Sequence, residues 1–147
     1  MTTITGAVLT TLLFTCSAFA GDRGALNGTW TLEPAQSDFG GQPVVQTGTV
    51  TINDKNGIII VSRSFVYAGA TETFFYNDSQ GSRNNSTIRT SKDLKTKTEW
   101  DDDILKVTTT DSGAVTVERY SLAANGTMLV LVERPASKPI TLVFLRK

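Results

Sequence analysis

Apolar and polar residues alternate along short runs through most of this chain, and clusters of turn-forming residues separate the runs. The clearest alternation lies between Leu94 and Trp100, which share one side of their run, while Lys95 and Glu99 share the other. A period of two residues is that of a β-strand with one face in the core and one face in water. No window shows a convincing period of 3.6 residues, so the pattern predicts an all-β chain.

Ten runs of this kind are predicted to be strands. They are Gly28–Glu33, Val44–Ile52, Ile58–Tyr67, Glu72–Tyr76, Arg83–Thr90, Leu94–Trp100, Ile104–Thr110, Ala114–Leu122, Thr127–Arg134 and Pro139–Arg146. Because the connections are short, each strand is expected to pair antiparallel with the next, as an up-and-down meander. Closure of about ten such strands into a barrel leaves no exposed sheet edge. The predicted fold class is therefore an all-β antiparallel barrel.

The first twenty residues are predicted to be a signal peptide. An apolar run from Ala7 to Phe14 precedes Ala18-Phe19-Ala20, which has the small-x-small pattern of a cleavage site. This run is too short to span a bilayer, which takes about 20 apolar residues, and no transmembrane span is predicted elsewhere. The chain is therefore expected to be exported to the periplasm or the extracellular space, with residues 21–147 forming one barrel domain.

Cysteine and histidine usage narrows the range of functions. The single cysteine, Cys16, lies in the predicted signal peptide, and Leu13-Phe14-Thr15 before it lacks the small residues of a lipid-attachment site, so a lipoprotein is not expected. The chain has no histidine, so it lacks the usual general base near neutral pH and the commonest metal ligand. No catalytic residue, cofactor or enzymatic activity is predicted.

The distribution of acidic and basic residues argues against a nucleic-acid partner and against a calcium site. The 14 acidic and 14 basic residues balance without a basic stripe, so no nucleic-acid partner is expected. Asp101-Asp102-Asp103 is the one acidic run. Three consecutive side chains on a tight turn cannot all point at one ion, so we expect a solvated turn there and not a calcium site.

Four segments resemble a known group of proteins. The first begins Gly28-Thr29-Trp30 and runs to Gly40, and the others are 99–107, 122–129 and 142–147. In this order they resemble a family of small exported bacterial proteins of unknown function that are called lipocalin-like. The resemblance implies a meander barrel in the cell envelope. Lipocalins and fatty-acid-binding proteins share the Gly-x-Trp opening and a late arginine, but here the short first loop leaves no room for a helical lid.

Trp30 in the first strand and Arg146 in the last are predicted to close the barrel. The Arg146 guanidinium is expected within about 6 Å of the Trp30 ring; contact with a ligand is the alternative for this pair. In the loop between the first two strands, Phe39 is expected to plug one barrel end, with Ser37 or Asp38 capping backbone amides. A gating role is the alternative for Phe39.

Arginines in step with apolar residues suggest a ligand site. Arg63 alternates in phase with Ile59 to Tyr67, and Arg119 with the valines before it. An arginine buried without a partner is costly, but it can bind a carboxylate or phosphate through two hydrogen bonds. Two alternatives stay open: the opposite side of the third strand faces inward, or Arg119 reaches solvent from its strand end. The candidate ligand-binding residues are Arg63, Tyr67, Phe75, Trp100, Arg119 and Tyr120.

The sequence thus predicts an exported binding module for a small amphipathic or anionic ligand. The alternative is a filled structural barrel that binds another envelope protein through its last two strands, which are apolar on both sides. A cavity of several hundred Å³ would favour the first hypothesis and a solid core the second.

Overall fold

The computed structural model describes residues 22–76, 80–85 and 90–147, and within these ranges the chain forms ten strands. The strands are β1 Gly28–Leu32, β2 Thr47–Lys55, β3 Ile58–Tyr67, β4 Ala70–Tyr76, β5 Gln80–Asn85, β6 Thr90–Asp101, β7 Ile104–Asp111, β8 Ala114–Leu122, β9 Met128–Glu133 and β10 Ile140–Arg146. Two short 3₁₀ helices accompany them, an N-terminal one at Arg23–Leu26 and a second one at Pro34–Gln36. The predicted signal peptide lies outside the described residues, so it stays a prediction.

Each strand pairs antiparallel with the next, and β1 pairs with β10, so the sheet closes into a barrel. In the closing pair Trp30 lies opposite Arg146 and Leu32 opposite Phe144. This confirms the predicted fold class, and β3 and β8 have the predicted bounds. The second strand starts at Thr47 and not at Val44, because the first loop extends further than expected. Part of the predicted fifth strand, 86–89, lies outside the described residues.

Burial alternates along the strands and defines the inside of the barrel. In β3 the buried residues are Ile59, Val61, Arg63 and Phe65. The side of the third strand that includes Arg63 therefore faces inward, and the alternative interpretation of this strand was wrong. Large side chains such as Tyr120 are fully buried, and burial of apolar area stabilises the fold by about 25 cal/mol per Å².

The N-terminal 3₁₀ helix closes one end of the barrel. Trp30 is fully buried, and its Nε1 donates a hydrogen bond of 2.9 Å to the carbonyl oxygen of Leu26. Arg146 Nη1 donates to the carbonyl oxygen of Asn27 at 2.8 Å, and Nη2 donates to that of Ala25. The guanidinium carbon of Arg146 lies 4.3 Å from the Trp30 ring centroid, inside the expected distance. These contacts tie the first strand, the last strand and the helix together.

The loop after β1 covers part of the opposite end. Ser37 Oγ accepts a hydrogen bond of 3.0 Å from the amide of Val143, and Asp38 Oδ1 accepts one of 2.9 Å from the amide of Gly40. Asp38 also forms a β-bridge with Thr141. Phe39 is half-buried against core residues at this end. Among the described residues, no helix has the length and apolar character needed to cross a membrane.

Candidate ligand-binding cavity

A cavity of about 550 Å³ occupies the barrel interior on the side away from the N-terminal 3₁₀ helix. Its lining includes Ala70, Ala114 and Arg134, which begin β4, begin β8 and follow β9. These positions mark the end of the barrel at which the cavity opens. Strand alternation brings Arg63 of β3 and Glu118 of β8 to its floor from opposite sides of the barrel.

A smaller apolar recess of about 100 Å³ adjoins this cavity beneath the first loop. Its apolar lining consists of Phe39, Pro43, Val45, Phe65, Val132, Ile140 and Leu142. Arg63, Tyr67 and Arg134 line both spaces. Tyr67 therefore lies on the boundary between the recess, whose lining residues are mostly apolar, and the larger cavity, whose lining mixes polar and apolar residues.

A buried ion pair forms the floor. Arg63 Nη1 lies 2.5 Å from Glu118 Oε1, and the two residues are only 7% and 1% exposed. The hydroxyl of Tyr120 donates a hydrogen bond of 2.5 Å to Glu118 Oε2, and Arg63 Nη2 donates one of 3.3 Å to the hydroxyl of Tyr76. The carboxylate and the guanidinium are thus held by neighbours on both sides. A buried pair of this kind needs such additional hydrogen bonds to offset desolvation.

Aromatic rings fix the guanidinium in place. Its carbon atom lies 4.0 Å from the ring centroid of Phe74 and 4.8 Å from that of Phe65. Cation–π contacts of this kind are strongest where the cation is desolvated. Arg63 Nε has no hydrogen-bond partner within the described ranges. The position of this side chain is therefore determined by Glu118 and the rings together.

The same surroundings shift the protonation equilibria. Burial is the largest single effect on the Arg63 guanidinium and lowers its pKa, but the Glu118 carboxylate and the nearby phenols of Tyr76, Tyr120 and Tyr67 together outweigh burial and raise that pKa well above its ordinary value. Burial raises the pKa of the phenols of Tyr76 and Tyr120 well above 10, and it raises the pKa of Tyr67 as well. At neutral pH the Arg63 guanidinium is therefore positively charged and the three phenols are neutral.

Three of the predicted ligand-binding residues lie at this site. Arg63 and Tyr67 line the cavity, and Tyr120 lies beside the floor through its bond to Glu118. The expectation that Arg63 would be unpaired was wrong, because it contacts Glu118. Glu118 and Tyr76 also lie at the floor, although neither was among the predicted ligand-binding residues.

Arg119 does not line the cavity, so its prediction was wrong. It lies on the outer face of β8 and pairs with Glu133. Consecutive residues of a strand point to opposite sides, and the inward positions of Glu118 and Tyr120 leave Arg119 outside. Arg119 and Tyr120 could not both have been ligand-binding residues of one interior.

Phe75 and Trp100 are also corrected. Phe75 is 43% exposed on the outer face of β4, because Phe74 and Tyr76 take the inward positions beside it. Trp100 lies at the closed end of the barrel, where its Nε1 donates a hydrogen bond of 3.1 Å to Asp54 Oδ2. The Arg23 guanidinium lies 5.4 Å from its ring centroid. The prediction gave the correct side of the strand for Trp100, but Trp100 lies at the closed end of the barrel and not at the cavity.

The acidic run 101–103 lies at the end of β6 and in the turn before β7. All three side chains are exposed, and Asp102 adopts a positive φ of 53°. In the part of the chain that the structure describes, no group of three or more histidine, cysteine or acidic side chains is placed to hold a metal ion.

Solved structures include chains that are similar to this one. No protein-family model and no curated protein sequence matches the chain. The chain is similar to a fatty acid binding protein of Schistosoma mansoni, solved in complex with arachidonic acid, with 14% identity and a TM-score of 0.49. The match covers 86% of this chain and 99% of the other. The fold assignment here rests on the strand pairing itself, and the resemblance to exported bacterial lipocalin-like proteins stays a prediction.

Proposed function

We propose that this protein is a binding module that holds one small amphipathic molecule inside its barrel. The supporting observation is a cavity of about 550 Å³ with a polar floor, joined to an apolar recess of about 100 Å³. Ligand pockets commonly have volumes of roughly 300–1,000 Å³ and combine apolar walls with a few polar groups. The space is therefore of the right size for one small ligand.

The two regions of the lining accept different parts of the ligand. Its apolar part packs against Phe39, Phe65 and Leu142 in the recess, where removal of apolar area from water supplies affinity. Its polar part lies in the larger cavity, where Tyr67 and Thr116 offer hydroxyl groups. The Phe39 loop covers the recess without closing the larger cavity.

Direct binding of a neutral fluorescent probe, 1-N-phenylnaphthylamine, tests this proposal. The variant Thr116→Trp fills the cavity from an inward position of β8, and Val117→Trp places the same side chain on the outer face of that strand. We expect Thr116→Trp to weaken probe binding at least tenfold and Val117→Trp to change it less than threefold. Equal effects, or no binding to the unchanged protein, would refute a ligand site in the cavity.

We propose that the protein acts outside the cytoplasm, in the periplasm or extracellular space. The support is the apolar run and the Ala18-Phe19-Ala20 pattern before Gly21. N-terminal sequencing of protein recovered from the cell envelope or the medium is expected to begin at Gly21. An N-terminus at Met1 would contradict export by this route.

A second candidate function is contact with another envelope protein through the outer side of β9 and β10. Leu145 is 40% exposed, and Leu129 and Leu131 are half-buried on the same outer side. Val143 of β10, on the same outer side, is only 8% exposed. The second 3₁₀ helix packs against β10. Cross-linking from position 145 in cells would capture the partner if this function holds. The open cavity argues against a filled structural barrel, which was the alternative predicted from the sequence.

A further inference from the structure

We propose that Glu118 makes this barrel selective for uncharged ligands by excluding carboxylates and phosphates from the cavity floor. This inference rests on the proposed binding function and names the ligand class that it serves. It makes Glu118 a specificity-determining residue and revises the expectation of an anionic ligand.

Glu118 occupies the position beside Arg63 at which an anionic ligand would bind. A free arginine in a cavity binds an anion because its N–H groups match the two oxygens of a carboxylate. Here Glu118 supplies that carboxylate, with Oε1 at 2.5 Å from Arg63 Nη1. The protein's own acid therefore takes the place that the acid of a ligand would take.

Burial and a second hydrogen bond hold the Glu118 side chain in this position. Glu118 is 1% exposed, and its Oε2 accepts a hydrogen bond from the hydroxyl of Tyr120. Moving it off Arg63 would leave both charges buried without a partner, which is strongly unfavourable. An incoming anion would thus have to share the floor with a fixed negative charge in a poorly solvated space, where like charges repel most strongly.

The cavity still offers hydrogen-bonding groups to an uncharged ligand. The charges of Arg63 and Glu118 cancel, and the rest of the lining, with Glu72, Asp111 and Arg134, adds no net positive charge. The phenol of Tyr67 on the cavity wall stays protonated at neutral pH. Neutral amides and hydroxyls can exchange hydrogen bonds with such groups without bringing a charge of their own. Desolvation costs them less than it costs an ion. An uncharged polar end is therefore the group that fits this floor.

Three eight-carbon ligands that differ only in their polar end test the inference: octanamide, octan-1-ol and octanoate. Affinities are measured by calorimetry at pH 7, where octanoate is ionised. We expect the unchanged protein to bind octanamide at least tenfold more tightly than octanoate, a difference of about 1.4 kcal/mol. In Glu118→Gln, which keeps an acceptor for Arg63, octanoate should bind at least tenfold more tightly than in the unchanged protein. Octanamide should change less than threefold.

Glu133→Gln is the matched control, because it makes the same substitution in the arginine–glutamate pair on the outer face. We expect it to leave all three affinities unchanged. Should Glu118→Gln fold poorly, its melting temperature gives a second measurement, since octanoate should raise that temperature more than octanamide does. The order should be reversed in the unchanged protein.

The outcomes separate the two proposals. If the unchanged protein binds octanoate as tightly as octanamide, the role of Glu118 is overturned and the cavity remains a ligand site. If Glu118→Gln leaves the octanoate affinity unchanged, the inference fails in the same way. If none of the three ligands binds either protein, the proposed binding function itself fails.

Discussion

Breaking the Arg63–Glu118 pair from one side should destabilise the barrel far more than removing both partners. The side chains of Arg63 and Glu118 are 6% and 2% exposed, so each charge would lose its partner in a desolvated place. Removal of one member of a buried pair typically costs about 3–5 kcal/mol, whereas replacement of both by apolar residues is often neutral or stabilising. We therefore expect Arg63→Met and Glu118→Met each to lower the free energy of unfolding by about 3–5 kcal/mol.

The outer pair provides the comparison. Arg119 and Glu133 are 36% and 44% exposed in their side chains, and exposed pairs contribute about 0–1 kcal/mol. A double-mutant cycle with Arg119→Met and Glu133→Met should give a coupling energy below about 1 kcal/mol. The Arg63→Met/Glu118→Met double variant should unfold within about 2 kcal/mol of the unchanged protein, which gives a coupling energy of several kcal/mol.

Urea unfolding at pH 7, followed by tryptophan fluorescence, measures all these free energies in one format. The single variants should unfold at markedly lower urea concentration than the double variant. The reasoning is refuted if the two single substitutions are additive, or if the inner coupling energy does not exceed the outer one. Either result would mean that the floor is solvated well enough to tolerate an unpaired charge.

Two further predictions concern the barrel core. Because burial raises the pKa of Tyr76 and Tyr120 above the value of about 10 that they have in the unfolded chain, the stability that they contribute is complete below pH 10. It is lost as the pH rises above 10 towards the raised pKa values of the folded state, so the free energy of unfolding should fall between pH 10 and about pH 11, and less steeply in Tyr76→Phe; an equal fall in both proteins would contradict this. Gly48→Ala should destabilise the barrel by about 1–3 kcal/mol in urea unfolding, because a Cβ at residue 48 would lie 2.7 Å from Phe65 Cδ1. The outward neighbour variant Thr49→Ala should cost less than about 1 kcal/mol, and equal costs would show that the ring moves aside.

Alternation along the chain was enough to predict the fold, because the period of a strand is a local property. The strands Ile58–Tyr67 and Ala114–Leu122 are observed with the predicted bounds. Alternation also gives the side on which a residue lies, but it does not give its height along the barrel axis. Trp100 shows the difference, since it shares a side with Leu94 yet lies at the closed end beside Asp54. Distance from the cavity depends on the stagger of all ten strands, which no single strand encodes.

The misplaced face of β8 has a physical cause. Hydrophobicity favours turning Val115 and Val117 inward, and this choice places Arg119 inside with them. The barrel instead buries Glu118, because Arg63 of β3 supplies a counter-charge from 55 positions away in the sequence. A charged residue is accepted in the interior when such a partner is present, and the partner cannot be recognised from the strand that holds the residue.

The register of the β7–β8 hairpin indicates which face of β8 points inward, although the hydrophobic pattern of β8 favours the opposite face. The turn at Ser112-Gly113 joins β7 and β8 with Asp111 opposite Ala114, as expected of a two-residue turn. This pairing alone places Glu118 opposite Val107 and Tyr120 opposite Leu105. Residues opposite each other in an antiparallel pair point to the same side, and Leu105 and Val107 are both fully buried. A short turn next to a strand of clear alternation therefore determines the face of its neighbour, and it would have placed Glu118 inside the barrel without any knowledge of Arg63.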